Sequence, residues 1–193
     1  SIDEYDKGNK AVENYLELRP YDVIAKYSLG LMYARLREYG KAEGIFNDLI
    51  VKYPAWILDF KLQLFDIYIK SEQNSKAMAV TNELIAVPDT RAHGYFIKGI
   101  YYEQQDLLDS SVHYYNLCKN LNSEHTAICD NNIGHSFFVH GITDSARKYF
   151  QKVVDLDSTY THAHFNLGVI EAGEGNVQAA MSRFFKAISV APG

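Results

Sequence analysis

Ala25-Lys26-Tyr27-Ser28-Leu29-Gly30-Leu31-Met32-Tyr33, followed by Tyr39-Gly40-Lys41-Ala42 and Phe46 and closed by Tyr53-Pro54, is the stretch whose reading decides the fold. Ala42, Phe46 and Leu49 stand at 0, +4 and +7, which is one face of an α-helix. The same pattern returns along the chain. A small residue recurs at Gly8, Ala42, Ala77, Ser111, Ala146 and Ala180, at intervals of 34 and 35 in alternation. Four residues after each comes Val12, Phe46, Thr81, Tyr115, Phe150 or Phe184, and three further on Tyr15, Leu49, Leu84, Cys118, Val153 or Ala187. A second register lies 12 residues upstream, at Gly30, Phe65, Gly99, Gly134 and Gly168, with Tyr33, Tyr68, Tyr102, Phe137 and Glu171 three residues later. A period of this length means one supersecondary unit repeated, here two amphipathic helices, A then B.

The punctuation agrees. Tyr39-Gly40, Gly141-Ile142-Thr143-Asp144 and Gly175-Asn176 fall between A and B, where a tight turn and an N-cap are required. Pro20, Pro54, Pro88 and Pro192 follow the B helices, where a helix must stop; Ser123 and Ser158 take that place in the other two units. The reading is an unpaired B helix at Tyr5–Arg19, then five pairs starting near Val23, Leu58, Ala92, Ala127 and Thr161: eleven helices and no strand. As residue ranges these are a half repeat over 1–22 and repeats over 23–57, 58–91, 92–126, 127–160 and 161–193.

These residues resemble the tetratricopeptide repeat, and Phe165-Asn166-Leu167-Gly168 through Pro192 match it equally well. The resemblance covers nearly the whole chain. It implies an all-α, right-handed α-solenoid of antiparallel helix pairs, and it accounts for the 15 tyrosines, because the repeat places a large ring between each A and B helix. Departures from the pattern are specific. The aromatic that usually opens helix A is kept at Tyr95 but replaced by Lys26, Lys61, Asp130 and His164. Phe65 stands where the family prefers Gly, facing Ala77, and should splay or rotate that pair. Lys98 and Glu171 occupy positions that are normally apolar and should snorkel or meet a partner.

The resemblance further implies that helix A lines a concave binding surface. Taking the residues one helical face away from the core register gives Tyr27, Leu31 and Arg35, then Asp59, Leu62, Asp66 and Lys70. The next pairs supply His93, Phe96, Ile100 and Gln104, then Asn131, His135 and Phe138, then His162, Phe165 and Val169. Such a stripe is richer in apolar and aromatic side chains than a solvated face, and contiguous apolar surface marks interaction sites. The competing reading packs some of these rings against neighbouring A helices. Repeats of this family that grip a C-terminal carboxylate resemble one another in carrying Lys and Asn on the first A helix and Lys and Arg on a later one. Here the stripe offers Tyr27 and Leu31, then Asp59 and Asp66, so a partner helix or extended segment with apolar anchors is expected instead.

Composition narrows the remaining classes. The 193 residues carry a formal net charge of −5, with 47% hydrophobic and 22% charged side chains, as in folded globular proteins. An acidic balance argues against nucleic-acid binding, so an RNA-reading helical repeat of similar period is the less favoured alternative. No apolar run approaches a membrane span. Gly173-Glu174-Gly175-Asn176 lacks the preceding strand and third Gly of a phosphate loop, and Gly134-His135-Ser136-Phe137 falls in mid-helix rather than on a nucleophile elbow. All seven histidines lie between His93 and His164, yet no two stand at i,i+3 or i,i+4. A Cys118/Cys129/His metal site across helices is weaker than the reading of two buried structural thiols. The expectation is a non-catalytic scaffold with a protein or peptide partner, without cofactor or metal. Two separated cysteines favour a reducing cytoplasm over a bacterial envelope only slightly. The alternative from another class is a structural array: the unpaired first helix and the uncovered last one would stack end to end, as a homo-oligomer. A fragment of a longer protein is the preferred account of those ends.

Overall fold

The computed structural model describes the backbone of residues 2–190 and the side chains of residues 8–189. Pro192 lies outside these. Among the described residues eleven α-helices follow one another: α1 (Ile2–Leu18), α2 (Val23–Arg35), α3 (Tyr39–Lys52), α4 (Ile57–Lys70), α5 (Asn74–Ala86), α6 (Arg91–Gln104), α7 (Leu108–Leu121), α8 (Thr126–Val139), α9 (Thr143–Leu156), α10 (Thr161–Gly173) and α11 (Val177–Val190). No strand occurs among the described residues. Single 3-10 turns at Pro54–Trp56, Pro88–Thr90 and Ser123–His125 lead into α4, α6 and α8. In two of them a proline, which has no N–H to leave unpaired, takes the first position. The chain divides after Ala86 into two units, each with its own packed interior.

Every A helix ends the same way. Arg37, Glu72, Asp106, Gly141 and Gly175 are left-handed, with φ of 62°, 59°, 60°, 73° and 79°. The next residue's N–H closes each turn onto a carbonyl five residues back: Glu38 to Tyr33, Gln73 to Tyr68, Leu107 to Tyr102, Ile142 to Phe137 and Asn176 to Glu171. This Schellman geometry satisfies the last carbonyls of helix A and reverses the chain into helix B. Two of the five turns fall where glycine announced them. The Tyr39-Gly40 turn does not: both residues belong to the first turn of α3, and the reversal is made by Arg37. The i→i−5 closure sets the register, and Arg37, Glu72 and Asp106 hold the left-handed position despite their side chains.

Between A and B the core is a ring laid on a glycine. Phe46 covers Gly30, Tyr115 covers Gly99, Phe150 covers Gly134 and Phe184 covers Gly168; a Cβ added at Gly99 would sit 2.6 Å from the Tyr115 ring. The pair α4/α5 inverts this arrangement. Phe65 replaces the glycine, Thr81 replaces the ring, and both are buried, so volume is exchanged across the contact.

The polar departures at the start of helix A each find a partner. Lys26 Nζ lies 3.0 Å from Asp48 of α3, and Lys61 Nζ lies 2.8 Å from Glu83 of α5. Asp130, 1% exposed, receives Lys119 of α7 on one oxygen at 2.6 Å and Lys152 of α9 on the other at 2.7 Å. The His164 ring nitrogen Nε2 lies 2.9 Å from the carbonyl of Ser158. Lys98 stands over the Tyr114 ring at 4.8 Å, and Glu171 takes Arg147 at 2.5 Å. Lys26, Lys61, Asp130 and Glu171 are each held by an opposite charge, which offsets part of their desolvation.

Candidate functional site

In the first unit, α2 and α4 present the residues picked from the sequence at 27, 31 and 35 and at 59, 62 and 66. Tyr27 is partly buried, its ring edge-on to Phe46 at 5.7 Å and 6.1 Å from Phe60. Burial, and the negative charge of Asp59, hold its phenol above the ordinary value of 10.0, so it is protonated throughout the physiological range. Leu31 and Leu62 are half-buried, while Arg35 and Asp59 are exposed. Asp66 is held by Lys70 one turn on, at 2.6 Å.

Around Tyr27 a pocket of about 230 Å³ opens, lined by Val23, Ile24, Tyr27, Trp56, Asp59 and Phe60. Phe60 is its buried floor. Ile24 and Trp56 stand at the rim, 73% and 55% exposed. Neither was selected from the sequence. Ile24 could have been, because 24, 27, 31 and 35 form one helical stripe. Trp56 lies in a 3-10 turn outside any helical register, and only its position in the fold reveals it.

In the second unit α6, α8 and α10 carry the rest of the stripe, and its members part company. Phe96 and Ile100 pack against the cluster of Ala92, Tyr115, Cys118, Cys129 and Ile133. Phe138 packs on Ala146, Phe150, Leu167 and Ile170. Asn131 is buried and accepts a bond from Asn166 at 3.4 Å. His93 meets His125 edge to face at 4.7 Å. Val169 is half-buried. Gln104, His135 and His162 are exposed, and Phe165 is 54% exposed although it leans on Phe184.

Glu103, one residue from Gln104, joins two of these elements. It accepts the Tyr115 hydroxyl at 2.6 Å and holds His135 Nδ1 at 2.5 Å. The hydrogen bond that His135 donates to Glu103 pushes its imidazole above the ordinary value of 6.5. Cys118 and Cys129 are both fully buried on adjacent helices. A hydrogen bond with Cys118, reinforced by burial, pushes the Cys129 thiol up. No group of three or more His, Cys, Asp or Glu suited to a metal ion occurs among the described residues. No helix among them is long and apolar enough to cross a membrane.

Against known proteins, no curated sequence is significantly similar to the chain. Solved structures are. A tetratricopeptide repeat protein from Parabacteroides merdae superposes with a TM-score of 0.75 at 16% identity, over 98% of this chain and 73% of that one. A chain of the APC/C hetero-tetramer Cut9–Hcn1 matches with a TM-score of 0.64 at 17% identity, over 96% of this chain and 35% of that one. MamA from Desulfovibrio magneticus matches at 0.56 and 17%, over 81% of this chain and 87% of its own. These likenesses establish an all-α solenoid fold. The tetratricopeptide repeat family model matches residues 3–55 and 131–191, more than half of the sequence. The chain therefore belongs to the tetratricopeptide repeat family.

Proposed function

We propose that the chain is a non-catalytic scaffold that receives a partner helix or extended peptide on the face formed by its A helices. The observation that carries this reading is the rim of the first-unit pocket. Ile24 and Trp56 leave most of their apolar surface in water beside a concavity whose floor is the core residue Phe60. Exposed apolar surface grouped around a concavity suits a partner's side chain, whereas scattered exposed residues need no such account. The exposed Phe165 of α10 extends the same character to the second unit. A structural neighbour that is part of the Cut9–Hcn1 hetero-tetramer supports a role in assembling proteins.

The test is selection of a phage-displayed library of random 12-residue peptides on the immobilised chain. Captured peptides should be lost when the A-helix residues Tyr27, Leu31 and Phe165 are replaced by alanine together. They should be kept when Asn120 and Lys148, exposed on the B helices α7 and α9, are changed instead. Binding sensitive to the B-helix changes alone would sink the reading.

A further inference from the structure

The first-unit pocket also constrains what enters it, and this inference rests on the scaffold reading above. At about 230 Å³ the pocket lies below the range of roughly 300–1,000 Å³ usual for small-molecule sites, and is suited to one bulky side chain. Five of its six lining residues are apolar or aromatic: Val23, Ile24, Tyr27, Trp56 and Phe60. The Tyr27 phenol is protonated and offers no charge. The sixth is Asp59, exposed and without an ion-pair partner among the described residues. Lys and Arg are absent from the lining.

That combination is selective. A purely apolar segment covering the pocket would take the Asp59 carboxylate out of water with nothing to replace its hydrogen bonds, which is costly. A segment that brings an ammonium or guanidinium group to the rim as its apolar side chain enters the pocket avoids this loss and adds a charge-assisted bond. An acidic segment would be repelled. We infer that the pocket formed by α2, the Pro54–Trp56 turn and α4 takes a bulky apolar side chain of a partner protein, flanked by a lysine or arginine that pairs with Asp59.

The experiment uses the whole chain and the same 12-residue peptide library, and reads the enriched sequences. On the unaltered protein the consensus should carry a large apolar or aromatic residue close to Lys or Arg. Because Trp56 is the one tryptophan of the chain, binding should also shift its emission to shorter wavelengths. Trp56→Ala with Ile24→Ala should weaken the selected peptides by about tenfold or more, as for a central hydrophobic anchor. Both side chains are largely exposed, so helicity by circular dichroism should be unchanged. Asp59→Lys should exchange the basic position of the consensus for Asp or Glu while retaining the apolar one.

Peptides that ignore Ile24 and Trp56 but are lost in Phe165→Ala would overturn the inference and leave the scaffold reading standing. An acidic or uncharged consensus on the unaltered protein would overturn it too. So would a solution mass that rises with concentration in the unaltered protein but not in Trp56→Ala, since the occupant would then be a second copy of the chain. No enrichment over the empty support would remove both readings.

Discussion

A single Cβ separates two kinds of glycine in this chain. At Gly99 it would stand 2.6 Å from the buried Tyr115 ring, whose hydroxyl is anchored on Glu103, so the ring has no free path of retreat. Gly99→Ala should therefore destabilise by about 1–3 kcal/mol, the usual cost of overpacking a close contact. At Gly44, in the middle of α3, nothing lies within 4 Å of the added atom. Gly44→Ala should stabilise by about 0.5–1 kcal/mol, because alanine loses less backbone freedom on entering a helix. Urea unfolding of the two variants checks the opposite signs. His135 gives a second prediction of sign. Its pKa is raised in the folded chain by Glu103, so its contribution to stability is complete below the ordinary value of 6.5 and is lost as pH rises through the elevated folded value. The NMR titration midpoint of His135 should lie above 6.5 and fall in Glu103→Gln. A midpoint at or below 6.5 would mean that the ion pair is absent in solution.

Between elements, the informative feature is Asp130, where three helices meet at one carboxylate. It lies on α8, and its two oxygens hold Lys119 of α7 and Lys152 of α9. Lys119 has 15% of its side chain in water and cannot easily be resolvated, whereas Lys152 has 56%. Asp130→Asn should therefore cost about 3 kcal/mol, the lower end for breaking a buried pair, most of it from the stranded Lys119. Equilibrium denaturation measures this, and a loss below about 1 kcal/mol would mean that the pair behaves as a surface salt bridge. The sequence marked position 130 as anomalous for its register, but the partners lie 11 and 22 residues away on separate helices, beyond any local pattern. The same holds for Lys26 with Asp48 and Lys61 with Glu83. The A-to-B turns show a related limit. Glycine revealed the turns at 141 and 175, while Arg37, Glu72 and Asp106 give no sign of left-handed backbone.

At the scale of the molecule, the division after Ala86 places Trp56 in one unit and the clusters around Tyr115 and Phe150 in the other. Helical repeats depend on their own interiors and on their nearest neighbours, so distant parts need not unfold together. Tryptophan fluorescence reports only the first unit, whereas circular dichroism reports the helices of both. Their denaturation midpoints should differ, and coincident transitions would show the two units to be one cooperative body. This bears on the proposed role, because local unfolding of the first unit would remove the pocket around Tyr27.

Repeat period and helix pairing were legible in the chain itself, and the family resemblance implied a large ring between A and B; that each ring lies on the glycine is seen in the structure alone. Period and pairing rest on spacing within about 35 residues, which is a property of the local sequence. The face of the A helices could be selected by the same arithmetic, but the fates of its members could not. Phe96 and Phe138 are drawn partly into ring clusters and Asn131 is buried against Asn166, while Phe165 remains half in water. The pocket was out of reach altogether, since it joins Ile24 of one helix to Trp56 of a turn and to Phe60 beneath them. A helical pattern states which side of a helix a residue occupies; how deeply it is covered depends on the angle and offset of the next helix, and only the tertiary structure decides that.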